Sequence, residues 1–386
     1  DKKDITEDEY NNFYTERFYD YEKPMKVIHT SVEGLCSYNA ILYIPSHTPF
    51  DLYSKEYEKG LQLYANDVLI MDKCPDLLPD YFNFVKGVVN SQDLSLNISR
   101  EMLQQDKNVG IIAKNIEHKI KSELEKMLAN DRENYKKFFD NFGRQIKFGV
   151  YDNYGLNKDK LKDLLLFYSS KEKQFVTLKE YLNKMSKEQD SIYYACGETI
   201  DKIDLLPQVE LVKDKGYDIL YLTDYIDEFV VKTIMEYEQK KFVNICSKDL
   251  DLSTDEEKEK LKKTNEKAKK MFDLMKEDLN SEVEEVRYTD RLKKHPVCLT
   301  NEGEISVEME KVMNAMPTDD KVKAKTILEI NKNHPIVKKL EDLYKNDKEK
   351  LKKYTKIIYA QARLIEGLSI DNPTEISNLI CDLISK

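Results

Sequence analysis

The sequence predicts a mixed α/β (α+β) protein with more than one domain. Its 386 residues exceed one ordinary hydrophobic core, so two or three domains are expected. Periodic helical segments alternate with short β-type runs along the chain. Glycine (11 residues) and proline (10) are scarce, so we expect the domains to be joined by helices or short turns instead of flexible linkers.

The first part of the chain combines helices with short strands. ITEDEYNNFYTERFYD predicts a helix capped by Thr6, because acidic residues fill its first turn. NAILYIPS (39–46) and DVLIMD (67–72) are β-type runs ended by proline or polar residues. A charged helical region with aromatic residues covers 134–143. Before it, apolar residues spaced three and four apart predict a long amphipathic helix; they are Val109, Ile112, Ile116, Ile120, Leu124 and Met127.

A strand–helix–strand pattern marks the next part. QDSIYYA and GYDILYLTD are strand-like. Residues 200–215 between them favour a helix, although Pro207 could mark its true start, and Gly216 suits its C-terminal stop. A short return of this kind predicts parallel strands with a right-handed crossover. We therefore expect a small α/β layer structure at about 160–245.

A shift to a highly charged composition at Ser253 predicts a domain boundary. Ser253 and Glu256 have the spacing of a capping box at the start of a long helix. The apolar face of this helix comprises Leu261, Ala268, Met271, Phe272, Met275 and Leu279. EVEEVRYTDRL and KTILEIN predict strands. Near the end, one helical stripe comprises Leu351, Tyr354, Ile357, Ile358, Leu364 and Ile365. Asn372 and Pro373 then begin a last helix that carries Ile376, Leu379, Ile380 and Leu383.

Charge and motif content exclude several classes of function. A net charge of −10 argues against a general nucleic-acid or anionic-membrane binder. Phosphate-loop, dinucleotide-binding, GxSxG and HExxH motifs are absent from the sequence. The six cysteines have no zinc-site spacing, so no metal site is predicted, and scattered free thiols fit a reducing cytoplasm. Cys36 and His29 form at most a remote thiol–imidazole candidate, since cysteine is usually a buried residue.

The stretch SLNISREMLQQ contains an arginine of uncertain purpose. Ser99 is a plausible N-cap, which places Arg100 in the first helical turn and Gln104 one turn later on the same face. A cation is unfavourable at a helix N-terminus. Local sequence alone favours an exposed arginine paired with Asp93 or Glu101. The alternative is a guanidinium presented to an anion, such as the terminal phosphate of a nucleotide bound by another domain.

A methionine-rich segment, EISVEMEKVMNAMP (304–317), is the second unusual feature. Its apolar residues fall on one helical face; they are Ile305, Met309, Val312, Met313 and Met316. Such a stripe commonly packs into a core. Flexible, polarisable methionines also suit a surface that binds different partners, and both interpretations stay open at this point.

Longer runs of the sequence resemble one protein family. ILYIPSHTPFDLY and VLIMDKCPDLLPDYFNFVKGVVNSQDLSLNISREMLQ closely resemble the middle segment of the heat-shock protein 90 chaperones, of the bacterial HtpG type. The resemblance continues through FFDNFGRQIKFGVYDN, QDSIYYACGE, YDILYLTDYIDEFVV, VRYTDRLKKHPVCLTNEGEISVEMEKVM and ILEINKNHPIVKKL, and so covers nearly the whole chain.

The resemblance implies an organisation into parts. The present sequence would correspond to the middle and C-terminal domains of an intact protein that also has an N-terminal ATP-binding domain. The middle domain would comprise a large αβα part (1–130), a helical connector (131–160) and a small αβα part (161–250). Residues 253–386 would form a mixed, mainly helical dimerisation domain. ATP and magnesium would bind the N-terminal domain, so this fragment alone is expected to hold no cofactor and to have no ATPase activity.

The resemblance also assigns residues. Arg100 would reach the γ-phosphate of ATP from a catalytic loop that Gln104 and Asn97 help to form. The client-binding helix for non-native proteins would use Ile305, Met309, Val312, Met313 and Met316. The homodimer interface would use Ile357, Ile358, Leu364, Ile365, Ile376, Leu379, Ile380 and Leu383.

Two departures from the family pattern bear on partners. The sequence ends in DLISK, without the acidic tail that binds tetratricopeptide co-chaperones, so no such partner is expected. Tryptophan is absent, and Phe138 and Phe139 occupy an aromatic pair that often includes it. The resemblance implies a cytoplasmic ATP-driven chaperone. A non-enzymatic dimeric scaffold, in which Arg100 is purely structural, is the alternative.

Overall fold

Residues 2–95, 106–317 and 321–385 are described by the computed structural model, which divides into two compact units, Asp1–Leu166 and Phe167–Lys386. Within these described ranges, helices and three separate β-sheets confirm the predicted α/β (α+β) class. The finer division into four parts stays a prediction. No helix in the described ranges combines the length and the apolar character needed to cross a membrane.

The first unit is built around a five-stranded sheet in the order β1-β2-β5-β3-β4. Its strands are β1 (Lys26–Val32), β2 (Tyr38–Ile44), β3 (Leu61–Ala65), β4 (Val68–Cys74) and β5 (Lys86–Ser91). Its helices are α1 (Glu7–Phe18), α2 (Lys107–Asn130), α3 (Arg132–Gly155) and α4 (Lys158–Leu161). β3 runs parallel to β5, and the other neighbouring pairs are antiparallel.

Local signals place the helices of this unit. Thr6 caps α1, and its hydroxyl accepts the Glu9 backbone N–H at 3.3 Å while the Glu9 carboxylate accepts the Thr6 N–H. All six apolar residues predicted for α2 are buried, which confirms its amphipathic face. The predicted aromatic region lies in α3, where Phe138 and Phe139 are buried. The Phe142 and Phe84 rings stack with centroids 4.2 Å apart.

The second unit contains two sheets. The six-stranded sheet has the order β10-β11-β8-β9-β6-β7, and the three-stranded sheet has the order β12-β14-β13. The strands are β6 (Phe167–Ser169), β7 (Gln174–Val176), β8 (Ile192–Cys196), β9 (Ile219–Leu222), β10 (Glu236–Tyr237), β11 (Lys240–Asn244), β12 (Glu285–Thr289), β13 (Val297–Glu302) and β14 (Lys325–Asn331). The helices are α5 (Leu178–Lys184), α6 (Ile200–Asp204), α7 (Pro207–Asp214), α8 (Asp227–Ile234), α9 (Asp255–Asp278), α10 (Val307–Ala315), α11 (Ile336–Asn346), α12 (Lys348–Ile365) and α13 (Pro373–Ile384).

The strand–helix–strand prediction is confirmed with one change. β8 and β9 are parallel, and Gly216 has φ +75° just after α7. The predicted helix over 200–215 is, however, two helices. Leu206 is extended (φ −63°, ψ 133°) before Pro207, because proline lacks an N–H and disfavours helical geometry in the residue that precedes it.

The long charged helix α9 begins one residue later than predicted. Thr254, not Ser253, is its N-cap, and Glu257 completes the capping box. Ser-x-x-Glu and Thr-x-x-Glu overlap here, and the Ser253 hydroxyl instead approaches Asp290 Oδ1 at 3.4 Å. The predicted apolar face is confirmed. Its members pack in a core with the three-stranded sheet and the helices α11 and α12.

Backbone and side-chain contacts join the two sheets of the second unit. Ser247, just beyond β11, forms a parallel bridge with Asn301 of β13. The Arg291 guanidinium donates to the carbonyls of Ser247, Lys248 and Leu250 at 2.6–2.8 Å. This arginine thereby fixes the connection that leads from β11 to α9.

Candidate functional site

The residues predicted to act on a nucleotide, Asn97, Arg100 and Gln104, lie outside the described residues. The residues on either side of them make specific hydrogen bonds. Ser37 N–H donates to Asp93 Oδ2 at 2.6 Å, and the Asn108 amide donates to the Asp93 carbonyl at 3.1 Å. Asp106 caps α2 by accepting the backbone N–H of Asn108 at 2.7 Å. The last described residues before the segment are therefore tied to the first ones after it.

The remote thiol–imidazole candidate has other contacts. The Tyr10 hydroxyl lies 2.6 Å from His29 Nδ1, and Cys36 Sγ lies 3.9 Å from the Ser91 hydroxyl. Burial raises the pKa of the Cys36 thiol. A thiol in this setting is a poor nucleophile.

The methionine segment forms α10, which is shorter than the predicted stripe. Ser306 caps the helix by accepting the Met309 backbone N–H at 3.1 Å, so Ile305 lies before the helix. Met316 occupies the C-cap position, where the backbone is extended. Glu310 Oε2 accepts the Ala324 backbone N–H at 2.7 Å.

A buried carboxylate anchors the N-terminus of α10. Glu228 of α8 is 4% exposed and accepts a hydrogen bond from the Ser306 hydroxyl. It also accepts the Tyr194 hydroxyl at 3.2 Å and the Asn244 amide at 3.0 Å. A carboxylate with three donors can stay buried at small cost. Burial and the nearby Glu228 charge raise the pKa of Tyr194 well above its usual value, so its hydroxyl remains a donor.

A lysine ties the middle of α10 to the end of α12. Lys311 Nζ donates to Glu308 Oε1 and to the Glu366 carbonyl, both at 2.6 Å. The Glu366 carboxylate accepts the Gln208 amide at 3.2 Å. Burial raises the pKa of Glu366 to about 7. α10 is therefore held to α8 at its start and to the end of α12 near its middle.

An apolar cleft of about 590 Å³ opens beside α10. We call it the α10 cleft. Met309, Val312 and Met316 form one wall, and Leu222, Tyr225 and Phe229 contribute to the other. Its volume lies within the roughly 300–1,000 Å³ typical of ligand-binding clefts. Of the predicted stripe, Ile305 and Met313 do not line the cleft, although the structure describes both.

The fold explains where this cleft lies. Cys196 ends β8 and Leu222 ends β9, two parallel strands whose carboxyl ends meet at the same edge of the sheet. Ligands of α/β sheets commonly bind at that edge. Tyr225 and Phe229 were not predicted as site residues, and their position as aromatic residues just after a predicted parallel strand is the signal that could have found them.

The charged groups that line the α10 cleft are mostly acidic. Its carboxylates belong to Glu198, Asp224, Glu228 and Glu308, and its ammonium belongs to Lys311. Burial, and then the charges of Glu228 and Glu308, raise the pKa of the Cys196 thiol in the cleft wall. A protonated thiol and hydrogen-bonded carboxylates favour binding over covalent chemistry at this site.

The residues predicted for the dimer interface have different surroundings. Ile357 and Ile358 of α12 are buried, and Ile358 belongs to the core of the second unit. Leu364, by contrast, is 59% exposed. In α13, whose twelve residues the structure describes in full, none is buried. Its apolar residues Ile376, Leu379, Ile380 and Leu383 are half-buried or exposed. Their role in a dimer stays a prediction.

Comparison with known sequences decides the family. The profile described as Hsp90 protein matches residues 1–386. The chain belongs to the Hsp90 family. The match extends over both units, so the α10 cleft and the segment that carries Arg100 belong to one Hsp90-type chain.

Curated members of the Hsp90 family are similar over almost the whole chain. The chaperone protein HtpG of Clostridium perfringens (strain 13 / Type A) is 55% identical over 383 residues, which are 99% of this chain. HtpG of Bacillus subtilis (strain 168) is 54% identical, and HtpG of Oceanobacillus iheyensis is 56% identical, over the same length. The chain spans 61% of the length of each of these relatives.

Proposed function

We propose that the chain is the middle and C-terminal part of an ATP-dependent chaperone that holds non-native proteins in the α10 cleft. The observation that carries this proposal is the cleft itself, with three residues of the methionine stripe on one wall and aromatic side chains opposite. An open apolar cleft on the surface of a domain is a typical interaction site. The relatives are named chaperones, which agrees with that use.

The chemistry of the wall suits clients of different sequence. Methionine side chains are flexible and polarisable, so Met309 and Met316 can adapt to apolar groups of different shape. Burial of one large apolar side chain contributes about 1.5–3 kcal/mol, which corresponds to weak, reversible binding per anchor. α10 itself is fixed by Ser306 and Lys311, so adaptation is expected in side chains and not in the helix position.

Aggregation of a model protein tests the client site. We expect Met309→Ser to weaken the suppression of aggregation by the chain severalfold, as measured by light scattering of a chemically unfolded enzyme. Met313→Ser is the matched control, because it makes the same change on the same helix outside the cleft wall. Equal effects of the two substitutions, in variants with unchanged circular dichroism, would show that the cleft is not the client site.

We further propose that the protein acts as a homodimeric clamp. The support is α13, an amphipathic helix with no buried residue in the isolated chain. A second copy would bury the apolar residues Ile376, Leu379, Ile380 and Leu383 together with the exposed Leu364. Helices of this kind stabilise a dimer by pairing their apolar faces across a two-fold axis.

The segment from Ser95 to Asp106 supplies the proposed link to ATP. ATP with magnesium would be held by the N-terminal domain that the family resemblance implies. Arg100 would then place its guanidinium on the terminal phosphate when that domain docks, and would stabilise the charge that develops there. Gln104 and Asn97 would position the segment. The contacts that tie Asp93 to Asn108 give the segment two fixed ends.

A further inference from the structure

We propose that the α10 cleft selects apolar client segments that carry lysine or arginine beside their apolar anchor, and discriminates against segments flanked by acidic residues. This inference rests on the proposed function and adds the class of segment that the site prefers. It comes from the charges that line the cleft, and not from its apolar walls, which would accept any apolar anchor.

The first observation is the imbalance of charge. Four carboxylates and one ammonium line the cleft. The ammonium, Lys311, is occupied, because it donates to Glu308 Oε1 and to the Glu366 carbonyl. Two of its three N–H groups are therefore used within the protein, and the Glu308 carboxylate offsets its positive charge, which weakens its attraction for an acidic client side chain.

The second observation concerns Glu198 and Glu228, which lie at different depths. The Glu198 side chain is 70% exposed and pairs with Lys202, an exposed pair that contributes little rigidity. Glu228 is buried and receives its hydrogen bonds from the neutral donors Ser306, Tyr194 and Asn244. Its negative charge is therefore held by neutral donors, and it acts on whatever enters the cleft.

The third observation is the effect of these charges on the Cys196 thiol, which lies in the wall of the cleft. The pKa of the Cys196 thiol is raised, first by burial and then by the charges of Glu228 and Glu308. Burial disfavours a charge of either sign, but the negative charges of Glu228 and Glu308 would also disfavour the carboxylate of a client. These charges favour a Lys or Arg at the mouth of the cleft, whose alkyl stem can cover apolar surface while the charge stays hydrated.

Labelled peptides with one apolar core and three kinds of flank test the proposal. The core Leu-Phe-Val is flanked by lysine, serine or glutamate pairs, and binding to the full 386-residue chain is followed by fluorescence anisotropy at low and high salt. We expect the lysine-flanked peptide to bind about tenfold more tightly than the glutamate-flanked one at low salt, with a smaller ratio at high salt. We expect Met309→Ser to weaken all three.

Substitutions of single carboxylates test whether the preference for lysine-flanked peptides arises in the cleft. Glu198→Gln should reduce the preference for lysine over glutamate flanks about two- to threefold and leave the serine-flanked peptide unchanged. Glu188→Gln is the matched control, since it removes an exposed carboxylate of the same unit that does not line the cleft. An equal loss of preference in both variants would mean that overall charge, not the cleft, selects the peptide.

The outcomes separate this proposal from the proposed function. Equal affinity for the three flanks, with all binding weakened by Met309→Ser, overturns the charge preference and leaves the client site standing. A lysine-flanked peptide with a serine core that binds as tightly as the apolar one also overturns it. Binding that Met309→Ser leaves unchanged for every peptide overturns the client site itself.

Discussion

Two amphipathic helices of the second unit, α10 and α13, carry similar apolar patterns but have different surroundings. α10 is held by Ser306 at its start and by Lys311 near its middle, and Met309, Val312 and Met316 line a cleft formed by its own chain. α13 packs beside α12 and buries none of its twelve residues. An apolar helix next to a preformed cleft suits transient ligands, whereas an uncovered apolar helix suits a lasting partner.

Substitution of Arg100 should have the largest effect. It tests whether ATP turnover can be lost while the proposed roles of α10 and α13 are kept. In the chain joined to the ATP-binding domain that the proposed function requires, Arg100→Ala should lower the ATPase rate about 100-fold or more, because an arginine on the terminal phosphate would stabilise the transition state. Dimerisation through α13 and client binding through α10 should not change. Unchanged turnover would favour the scaffold alternative, in which Arg100 is structural.

Disruption of the α13 face should have the next largest effect. Ile380→Asp should raise the dimer dissociation constant about 100-fold or more, because a carboxylate would have to be buried in the interface. Light scattering after size exclusion measures the mass, and Asn378→Asp is the control, because Asn378 is exposed and lies on the face of α13 opposite its apolar residues. A dimer that survives Ile380→Asp would move the interface away from this helix.

Removal of the N-caps of α10 and α13 tests whether the two helices have separate roles. Ser306→Ala removes the cap of α10 and leaves Glu228 one donor short, so it should cost about 1–2 kcal/mol of stability and weaken client binding. Asn372→Ala removes the cap of α13, costs about 1 kcal/mol and should weaken the dimer instead. Thermal melts, aggregation assays and dimer titrations check both. The same pattern of losses in both variants would argue that the helices do not have separate roles.

The smallest expected effect depends on pH. The folded-state pKa of Glu366 is raised from 4.5 to about 7, chiefly by burial. Its protonated form therefore stabilises the fold fully below pH 4.5, and that contribution is lost as the pH rises through 7. Glu366→Gln should raise stability at pH 8 by on the order of 1 kcal/mol and have less effect at pH 5. Denaturant titrations of both proteins with the same pH dependence would contradict this assignment.

Local signals allowed most helices to be predicted from the sequence. Thr6 and Asn372 are read directly as caps, and the spacing from Val109 to Met127 predicts the buried face of α2. Where two local patterns overlap, as for Ser253 and Thr254, the local sequence does not choose between them, because contacts with distant residues, such as that of Ser253 with Asp290, are not visible in it.

Features built from distant residues could not be predicted in the same way. β13 was missed because its place in the sheet depends on pairing with β14, from Val297 with Ile330 to Glu302 with Lys325, and not on a local pattern. Only one wall of the α10 cleft could be predicted from the sequence. The methionine stripe is periodic, but Tyr225 and Phe229 lie some 80 residues earlier and meet it only through the fold. The resemblance proposed roles for the stripe, yet only the structure separates Met309 and Met316 from Met313.

Nuclear magnetic resonance of methionine methyl groups tests the central claim most directly. The chain has eleven methionines, which can be labelled with carbon-13 and assigned by substitution. On addition of an unfolded client, we expect the Met309 and Met316 methyl resonances to shift or broaden. Met313, outside the cleft wall, and Met275, fully buried in the core, should stay unchanged. Confirmed client binding with unmoved Met309 and Met316 signals would contradict the assignment of the α10 cleft as the client site.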